Sequence, residues 1–450
     1  GTGTVHIAPG HGKEDHDIGL QYKLPIISPV DEEGRFTGEF PEMQGVKVFD
    51  ADDRIVKKLE EIGALFYSDT VRHSYPHCWR CKSPLIFRAT RQWFVNVEHS
   101  NLRRALINEI KKVTWIPDWG KLRIMKMVEG RPDWCISRQR FWGVPIPAMY
   151  CKECRSAILD KGIIDRTRDV FAEEGSNSWF KHGADYFLPE GFKCPTCGAT
   201  DLEKESDILD VWFESGASYH PVLMEAEDME FPASLYLEGT DQHRGWFQTA
   251  LLTSTAAFGH APYKAVLTHG FVVDEEGRKM SKSLGNFITV ERILEKFGAD
   301  VIRLWISSID YRNDINTSEE IIGRAAESYK KLRFTFRYLL GNLSGFNPEE
   351  DAVDYENMLE IDRWALAALQ ELVEKALKAY EEFDFHMVYQ RIYNFCAVSM
   401  SSFYFDVLKD RLYTAAPGSV ELRSARTAMR EILLVLLRLV APILVHTAEE

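Results

Sequence analysis

Two lysines stand three positions apart in the segment "KMSKSLGN" (279–286), among serines and a glycine. Ammonium groups on such a loop can fold over a polyphosphate and neutralise the negative charge that develops on its leaving group. Lys279 and Lys282 are therefore candidate catalytic residues. The alternative is a solvated surface turn, which is the usual role of a charged loop. The net charge of the chain is −14, so this cationic loop is a local feature.

A second segment, "LEGTDQHRGWF" (237–247), follows a predicted strand and opens a predicted helix. Ligands of open α/β sheets bind beyond the carboxyl ends of the strands, so we expect Glu238, Asp241 and Gln242 to face a ligand crevice. A carboxylate there can hold an amino group or ribose hydroxyls. The alternative is that Asp241 is only a favourable negative charge at a helix start.

Six of the eight cysteines form three C-x-x-C pairs, and two of these pairs are separated by 39 residues. Four thiolates arranged in this way can bind zinc tetrahedrally, and they leave no open position for catalysis. The predicted ligands of this structural zinc are Cys151, Cys154, Cys194 and Cys197. The alternative is a set of four buried or redox-active cysteines.

The third pair, in "HCWRC" (77–81), offers only half of a metal site, formed by Cys78 and Cys81. Its partners would lie before Gly1, or the site is empty. His77 beside the pair is more often a packing or capping residue than a ligand. Cys135 and Cys396 are isolated among apolar residues, and we expect both in the core.

The first fifteen residues, "GTGTVHIAPGHGKED", place His6, His11 and Asp15 among glycines. Glycine lets the backbone approach a ligand closely, and histidine and aspartate can orient a water molecule. A glycine-rich turn with histidines is as often structural, so this pattern alone leaves both interpretations open.

These candidate residues need elements to position them, and the pattern over 206–275 is that of an α/β sheet. Strand-like runs ("SLYLEG" and "KAVLTHGFVV") alternate there with a helical stretch over 246–258. A helix over 289–298 has Thr289 to cap its start and Gly298 to close it. From about 318 to the end, apolar spacing predicts a helical bundle.

The first part of the chain is less regular. Residues 1–75 mix patterns of short strands and helices, and 76–205 are rich in Cys, Pro and Trp with little long periodicity. One helix is predicted over 50–63, with Asp50 as its cap and Gly63 at its end. Its predicted apolar face comprises Ile55, Val56, Leu59 and Ile62.

The sequence reads as a piece of a longer protein of roughly three domains. It begins without methionine in the pattern of a strand and a glycine-rich turn, and it ends within a helical pattern. The longest apolar run, 432–445, contains an arginine and a proline, so no membrane span is predicted. Without a secretory signal, and with paired cysteines suited to metal, a cytoplasmic location is expected.

Several motifs together give the chain a family resemblance. "KMSKS" after a strand resembles the second signature loop of class I aminoacyl-tRNA synthetases, and essentially the whole chain resembles the isoleucyl-tRNA synthetases. The similarity to isoleucyl rather than valyl or leucyl enzymes lies in "GTDQHRGWF" (239–247), "DVWFESG" (210–216) and "WCISRQRFWGVPIP" (134–147). "GTGTVHIAPGHGKED" resembles the editing domain of that family, and "NFCAVSMSSFYFDVLKDRLY" (394–413) its anticodon-binding region.

The resemblance implies a role for each candidate residue. Glu238 would bind the aminoacyl-adenylate, with Gly239, Asp241 and Gln242 beside it. Trp212 and Trp246 would be walls of the isoleucine side-chain pocket, a task that suits large rigid aromatic rings.

The same resemblance implies roles for the lysines of the KMSKS loop and for two residues of the first fifteen. Lys282 would act on ATP, with Lys279 supporting it. His6 and Asp15 would lie in the editing site, where Asp15 would hold the α-ammonium group of a mischarged residue.

The reaction implied is the ATP-dependent attachment of L-isoleucine to tRNA(Ile) through isoleucyl-adenylate, with Mg²⁺ bound to ATP and hydrolytic editing of Val-tRNA. The family's first signature, a His-Ile-Gly-His-type stretch, is absent from these 450 residues. The chain is therefore expected to be a partial enzyme that does not form the adenylate alone. We expect a monomer without membrane contact.

The fold class implied is α/β, the second half of a Rossmann-like catalytic domain with inserted and appended parts. The expected domains are the C-terminal part of an editing domain (1–75), a connective region with the half zinc site (76–144), a zinc-binding insertion (145–205), the second half of the catalytic domain with the KMSKS loop (206–285), stem-contact helices (286–317) and a truncated all-α anticodon-binding bundle (318–450).

Two functions of other classes compete with this interpretation. A free-standing deacylase of mischarged tRNA would use residues 1–75, but it would leave the adenylate-site and loop motifs without a role. A non-catalytic, zinc-containing tRNA-binding module fits the cysteine pairs and the helical tail, with the same difficulty. Isoleucine-dependent pyrophosphate exchange distinguishes a ligase from both.

Overall fold

The computed structural model describes residues 3, 5–78, 81–280, 286 and 288–450. The chain divides into two compact units, one comprising Gly1–Val95 with Cys135–Gln139 and the other Asn96–Trp134 with Arg140–Glu450. Lys282 lies outside the described residues. No helix within the described ranges is both long enough and apolar enough to cross a membrane.

The described residues form both helices and strands, numbered in chain order. The α-helices are α1 (Lys13–Tyr22), α2 (Asp52–Glu61), α3 (Leu102–Lys112), α4 (Trp119–Glu129), α5 (Lys161–Glu174), α6 (Ser178–Lys181), α7 (Val211–Gly216), α8 (Trp246–Phe258), α9 (Val290–Phe297), α10 (Ala299–Ser307), α11 (Glu319–Asn342), α12 (Pro348–Asp351), α13 (Glu360–Glu381), α14 (Phe385–Asn394), α15 (Phe405–Thr414), α16 (Val420–Val440) and α17 (Val445–Glu449). The strands are β1 (Phe94–Val95), β2 (Thr114–Ile116), β3 (Trp134–Cys135), β4 (Ser137–Arg138), β5 (Met149–Cys151), β6 (Ala157–Ile158), β7 (Leu202–Lys204), β8 (Ile208–Leu209), β9 (Tyr236–Gly239), β10 (Ala265–His269), β11 (Val272–Val273) and β12 (Ile315–Asn316).

The first unit contains less regular structure than its sequence predicts. Residues 5–8 form no strand, and α1 begins at Lys13 after the extended Gly12. The helix predicted over 50–63 is shorter, because Val48–Asp50 form a 3-10 turn and α2 starts only at Asp52. Asp50 as its cap is wrong: Ala51 holds that position, without a side-chain hydrogen bond. The predicted apolar face is not buried either, since Ile62 is 61% exposed.

The second unit contains helices where little periodicity was predicted. α3, α4 and α5 all lie within 76–205. α3 buries Leu102, Leu106 and Ile110, which recur every four residues, as expected for one helix face. The sequence analysis therefore missed the helical spacing of apolar residues in this region, which is rich in Cys, Pro and Trp.

β9 and β10 of the predicted α/β region form a parallel three-stranded sheet with β2, in the order β2-β10-β9. β2 lies outside the predicted range 206–275, so the prediction missed this strand. In this sheet Leu267 of β10 pairs with Ile116 on one side and Leu237 on the other. Because the strands are parallel, their carboxyl ends share one edge. α8 follows β9 over the predicted range, and Phe247, Ala250 and Leu251 of that helix are fully buried.

The strand predicted through 265–273 is interrupted at Gly270. β10 ends at His269, and the chain continues as β11, which pairs with β12 rather than with the central sheet. A Cβ atom on Gly270 would lie 2.2 Å from the carbonyl oxygen of Asn313, so only glycine fits this crossing. The interruption directs the chain away from the sheet edge just before the lysine loop.

The predicted helices of the C-terminal part are confirmed. Thr289 caps α9 by accepting a hydrogen bond from Arg292 N (3.3 Å), and Gly298 ends it with φ 82°. α11 and α13 to α16 surround an apolar core that includes Leu339, Ile432 and Leu436, all fully buried. Cys396 is buried in this core, as predicted.

Cys135 departs from the same prediction. It is only half-buried, and its thiol lies 3.4 Å from Oε1 of Gln92, a polar rather than an apolar neighbour. A polar side chain from the segment before β1 therefore takes the place of the apolar surroundings expected for Cys135.

Candidate active site and metal centre

The carboxyl end of β9 carries the residues predicted to face a ligand. Glu238 is exposed, and its carboxylate accepts a hydrogen bond from Gly239 N (3.0 Å). Gly239 pairs in register with His269 at the end of β10. Asp241 and Gln242 follow in a 3-10 turn that leads into α8. Glu238, Gly239, Asp241 and Gln242 thus lie together at one sheet edge, where a ligand of an α/β sheet is expected.

Gly245 allows two of the predicted site residues to pack closely against the backbone before α8. A Cβ atom at this position would lie 2.5 Å from Oε1 of Gln242 and 2.8 Å from the edge of the Trp212 ring. Any side chain would push one of them away. The glycine before α8 is therefore a packing requirement of the site, which the sequence pattern alone did not single out.

Trp246 is fixed by three contacts. Its ring stacks on Tyr236 with centroids 4.0 Å apart and planes at 12°, and its indole nitrogen donates to the carbonyl oxygen of Ser215 (3.0 Å). Its backbone nitrogen donates to Oε1 of Gln242 (2.9 Å). Trp246 is half-buried, whereas Trp212 is 42% exposed.

Residues that the sequence analysis did not single out hold α7, the helix that carries Trp212. Asp210 caps this helix by accepting a hydrogen bond from Trp212 N (3.2 Å). Glu214 accepts one from Val144 N (3.1 Å), and Thr253 of α8 donates to the carbonyl oxygen of Gly216 (2.7 Å). For Asp210 and Glu214, the available signal was their place in "DVWFESG", beside Trp212.

Asp274 organises the chain on both sides of the lysine loop. Its carboxylate accepts hydrogen bonds from Arg278 N (2.8 Å) and Nε (2.9 Å) and from Asn286 Nδ2 (2.8 Å). The hydrogen bond from Asn286, together with those from Arg278, lowers the pKa of Asp274 to about 2. Nζ of Lys279 lies 5.3 Å from the centroid of the Phe271 ring. Lys279 is thereby placed near β11, the strand that follows β10.

The four cysteines predicted to bind zinc lie together. Their sulfur atoms are all within 4.8 Å of one another. Cys151 Sγ is 3.5 Å from Cys197 Sγ, and Cys154 Sγ is 3.7 Å from Cys194 Sγ. Zinc–sulfur bonds of about 2.3 Å in a tetrahedron separate the sulfurs by about 3.8 Å. The donor set and its spacing therefore fit a structural zinc ion.

The two cysteine pairs of this centre adopt the same type of backbone turn. Arg155 N donates to the carbonyl oxygen of Cys151 (2.9 Å), and Gly198 N donates to that of Cys194 (2.8 Å). Arg155 and Gly198 have φ angles of 61° and 80°, which turn the chain back after each pair. Hydrogen bonding from Ser156 lowers the pKa of Cys194 to about 5, whereas burial and the neighbouring thiols raise the pKa of Cys197 to about 12.

The third pair adopts the same turn. Lys82 N donates to the carbonyl oxygen of Cys78 (2.9 Å), and Lys82 has φ 62°. Cys78 is half-buried and Cys81 is exposed. Among the residues that the structure covers, the group of metal-ligating side chains formed by Cys151, Cys154, Cys194 and Cys197 does not include this pair.

The glycine-rich start of the chain is held by its own polar residues. Oδ2 of Asp15 accepts a hydrogen bond from Ala8 N (2.9 Å), and His11 Nδ1 lies 3.0 Å from the carbonyl oxygen of Phe87. A Cβ atom on Gly10 would lie 2.1 Å from the carbonyl oxygen of Ile27. His6 is exposed. Asp15 and Gly10 thus have structural roles, and the editing roles of His6 and Asp15 stay predictions.

Two family descriptions match the chain. "tRNA synthetases class I (I, L, M and V)" matches residues 14–318, and "Anticodon-binding domain of tRNA ligase" matches residues 362–450. The predicted fold class, an α/β synthetase domain followed by a helical anticodon-binding bundle, is thereby confirmed.

Curated relatives match over the whole chain. The chain is 53% identical over 451 aligned residues to the isoleucine–tRNA ligase of Thermotoga petrophila, covering 100% of this chain and 49% of that protein. It is 52% identical to the isoleucine–tRNA ligase of Thermotoga maritima, with the same coverage. The chain therefore spans about half the length of the curated relatives it matches.

Solved structures of related enzymes share the fold. Mycobacterium tuberculosis methionyl-tRNA synthetase bound by methionyl-adenylate has a TM-score of 0.57 at 17% identity, over 83% of this chain and 65% of that one. The LeuRS-tRNA-LeuAMS ternary complex of Agrobacterium radiobacter K84 has a TM-score of 0.50 at 21% identity, over 73% and 43%. Family description, relatives and fold agree with the motifs at the sheet edge, so the chain belongs to the class I tRNA synthetases of the I, L, M and V group.

Proposed function

We propose that the chain is the part of an isoleucine–tRNA ligase that holds the second half of its catalytic domain and its anticodon-binding helices. The observation that carries this proposal is the packing of Trp212 and Gln242 against Gly245, beside the exposed Glu238 at the carboxyl edge of β9. The identity of 53% with an isoleucine–tRNA ligase supports isoleucine as the amino acid.

The sheet edge would bind the amino acid and the adenylate. Trp212 presents an exposed aromatic ring against which an aliphatic side chain can pack. Trp246, held in place by stacking on Tyr236, would form a second wall of the pocket. The carboxylates of Glu238 and Asp241 can accept hydrogen bonds from an ammonium group or from ribose hydroxyls. Apolar and acidic surfaces side by side suit an aminoacyl-adenylate.

The lysines would neutralise charge while the adenylate forms. The carboxylate of isoleucine attacks the α-phosphate of ATP, and pyrophosphate leaves with the electrons of the broken P–O bond. Lys282 and Lys279 stabilise that departing charge, and Mg²⁺ bound to ATP supplies further neutralisation. Asp274 supports the loop by anchoring Arg278 before the lysines and Asn286 after them. A hydroxyl group of the 3′-terminal ribose of tRNA(Ile) then attacks the carbonyl carbon of the adenylate and loses its proton as the ester forms. AMP leaves with the electrons of the broken C–O bond.

Zinc would have a structural role in the insertion. Cys151, Cys154, Cys194 and Cys197 would hold one ion, with no position open for a substrate. Cys78 and Cys81 form a similar turn and would contribute half of a second site. The metal would cross-link two chain segments that share the small core around Trp179 and Phe187.

The remaining assignments extend this proposal. Residues 1–75 would belong to an editing domain in which His6 and Asp15 act on Val-tRNA. The connective (76–144), zinc-binding (145–205), catalytic (206–285), stem-contact (286–317) and anticodon-binding (318–450) parts would follow. The enzyme would be a cytoplasmic monomer.

Isoleucine-dependent exchange of pyrophosphate into ATP by the complete protein that carries this chain tests the proposal. We expect exchange with isoleucine, weaker exchange with valine, and none with leucine or methionine above background. Hydrolysis of Val-tRNA without exchange would instead favour a free-standing deacylase. Binding of tRNA without either reaction would favour a non-catalytic module.

A further inference from the structure

A half-buried arginine connects the two helices that carry the tryptophans of the site. Arg131 follows α4, and its Nη1 donates a hydrogen bond to Oε1 of Gln248 in α8. Its guanidinium lies 5.4 Å from the centroid of the Trp134 ring. The indole nitrogen of Trp134 donates to Oδ2 of Asp210 (3.1 Å), the residue that caps α7. One line of contacts therefore runs from α8 through Arg131 and Trp134 to the start of α7.

The polar groups in this line are largely out of water. Asp210 and Gln248 are each 4% exposed, and Trp134 is 7% exposed. Burial lowers the pKa of Arg131, while the carboxylate of Asp210 opposes that shift. Nε of Arg131 is buried and has no hydrogen-bond partner among the described residues. An apolar set of similar volume would avoid the desolvation cost, so packing alone does not account for an arginine and an aspartate at these positions.

We propose that Arg131 and Asp210 are positioning residues of the amino-acid pocket, which fix the orientation of α7 relative to α8 and thereby place Trp212 against Gly245. This inference rests on the proposed function, because it assigns Trp212 to the pocket wall. Directional hydrogen bonds donated by a planar guanidinium and accepted by a carboxylate define an orientation more sharply than apolar contacts do. Neither residue touches substrate in this role.

The tight contact at Gly245 makes the pocket sensitive to that orientation. A Cβ atom there would lie 2.8 Å from the Trp212 ring, so the ring already lies directly on the backbone. A tilt of α7 can then move Trp212 only outward, which enlarges the space for the amino-acid side chain. One methylene in an apolar pocket changes discrimination by roughly 10- to 200-fold, so a looser wall should be visible in the preference for isoleucine over valine.

The experiment compares Arg131→Gln and Asp210→Asn with the wild type of the complete protein in pyrophosphate exchange. Each substitution removes one charge of the pair and keeps a polar side chain. We expect the KM for isoleucine to rise about tenfold and the isoleucine-to-valine ratio of kcat/KM to fall about tenfold, with the KM for ATP unchanged. Arg131→Lys keeps the charge without the planar fork, so it should restore part of the ratio.

Arg123→Gln is the matched control. Arg123 is exposed on α4, and its guanidinium is 5.8 Å from the centroid of the Trp119 ring, a similar cation–aromatic contact. Its aromatic partner belongs to α4 itself rather than to the line that leads to α7. Loss of this guanidinium should therefore leave the isoleucine KM and the ratio unchanged.

Lower thermal stability of Arg131→Gln with an unchanged isoleucine KM and ratio would overturn the proposal, because the pair would then only stabilise the fold. If Arg131→Gln does not fold, Asp210→Asn and Arg131→Lys provide the same comparison. A wild type that activates a different amino acid would contradict the proposed function alone. The KM for that amino acid would then decide on the positioning role.

Discussion

Loss of the Lys282 ammonium group should slow amino-acid activation without weakening amino-acid binding. A contact made mainly in the transition state lowers kcat when it is removed and leaves substrate binding nearly unchanged. Removing one such donor costs on the order of 3 kcal/mol, or about 100-fold in rate. We expect this loss for Lys282→Ala in single-turnover activation by the complete protein, and a smaller one for Lys279→Ala.

Lys264→Ala is the control for both lysine variants. Lys264 lies immediately before β10, at the opposite end of the strand, where it pairs with Glu230 (2.6 Å). Its loss should leave the activation rate unchanged. Weaker isoleucine binding by Lys282→Ala at a normal activation rate would show that the lysine belongs to the substrate pocket.

Asp15→Asn should separate the two roles of Asp15. The amide oxygen of asparagine can still accept the hydrogen bond from Ala8 N, so the turn should persist. The charge that would hold an α-ammonium group is lost, and charge-assisted contacts are the stronger ones. We expect Val-tRNA to accumulate in a deacylation assay while isoleucine activation stays normal. The exposed Asp17, in the same helix, is the control as Asp17→Asn; normal clearance of Val-tRNA by Asp15→Asn would contradict the editing role.

At the scale of elements, the hydrogen bonds within the turn that begins at Asp274 should keep the Asp274 carboxylate ionised in mild acid. The pKa of about 2 in the folded protein lies below the ordinary value of about 3.9. A lowered carboxyl pKa means that the contribution of Asp274 to stability is complete above about pH 4 and declines as the pH falls towards 2. Carbon NMR of aspartate-labelled protein should show Asp274 still ionised at about pH 3, with Asp274→Asn to assign its signal.

Asn286→Ala removes the first of the hydrogen bonds that lower this pKa. The titration of Asp274 should then move towards about pH 4, the ordinary range of an aspartate. A wild-type titration already centred in that range would show that the hydrogen bonds from Asn286 and Arg278 do not hold the turn in solution.

The proposed zinc-binding insertion should lose its metal and its local order together when one cysteine ligand is removed. Cys194→Ser removes one of four thiolates, and structural zinc sites contribute directly to folding. Metal analysis should find one zinc ion fewer per chain, and proteolysis should become faster within 145–205. Cys135→Ser, at a half-buried cysteine outside the cluster, should change neither. Unchanged zinc content in Cys194→Ser would show that the four cysteines do not form the site.

The sequence predicts well those elements whose start and end are determined by residues adjacent in the sequence. α9 has a capping threonine and a closing glycine, and both act as predicted. The interruption at Gly270 depends on the carbonyl oxygen of Asn313, which lies far along the chain, so no local pattern indicates it. For the same reason motifs located the sheet edge at Glu238, whereas the packing of Trp212 on Gly245 and the contacts of Asp210 required the folded structure.

At the scale of the whole molecule, residues 1–450 alone should not form the adenylate. They contain no His-Ile-Gly-His-type signature, and their described central sheet has three strands. The purified 450-residue chain should therefore show no isoleucine-dependent pyrophosphate exchange, although its helical core should give a cooperative unfolding transition. Exchange above background would mean that the signature is not required. The complete protein, assayed in parallel, is the positive control.

The glycine before α8 also limits how the proposed amino-acid pocket can be redesigned. In a library that randomises every residue around the tryptophans, most variants would carry a side chain at position 245. Any side chain there collides with Gln242 or Trp212, so these variants should lose the packing of the site. Laboratory evolution towards a larger amino acid would have more room at position 212 itself, where the ring is 42% exposed and a smaller residue leaves the backbone of α8 untouched. Gly245 is thus a position that such a library should keep unchanged.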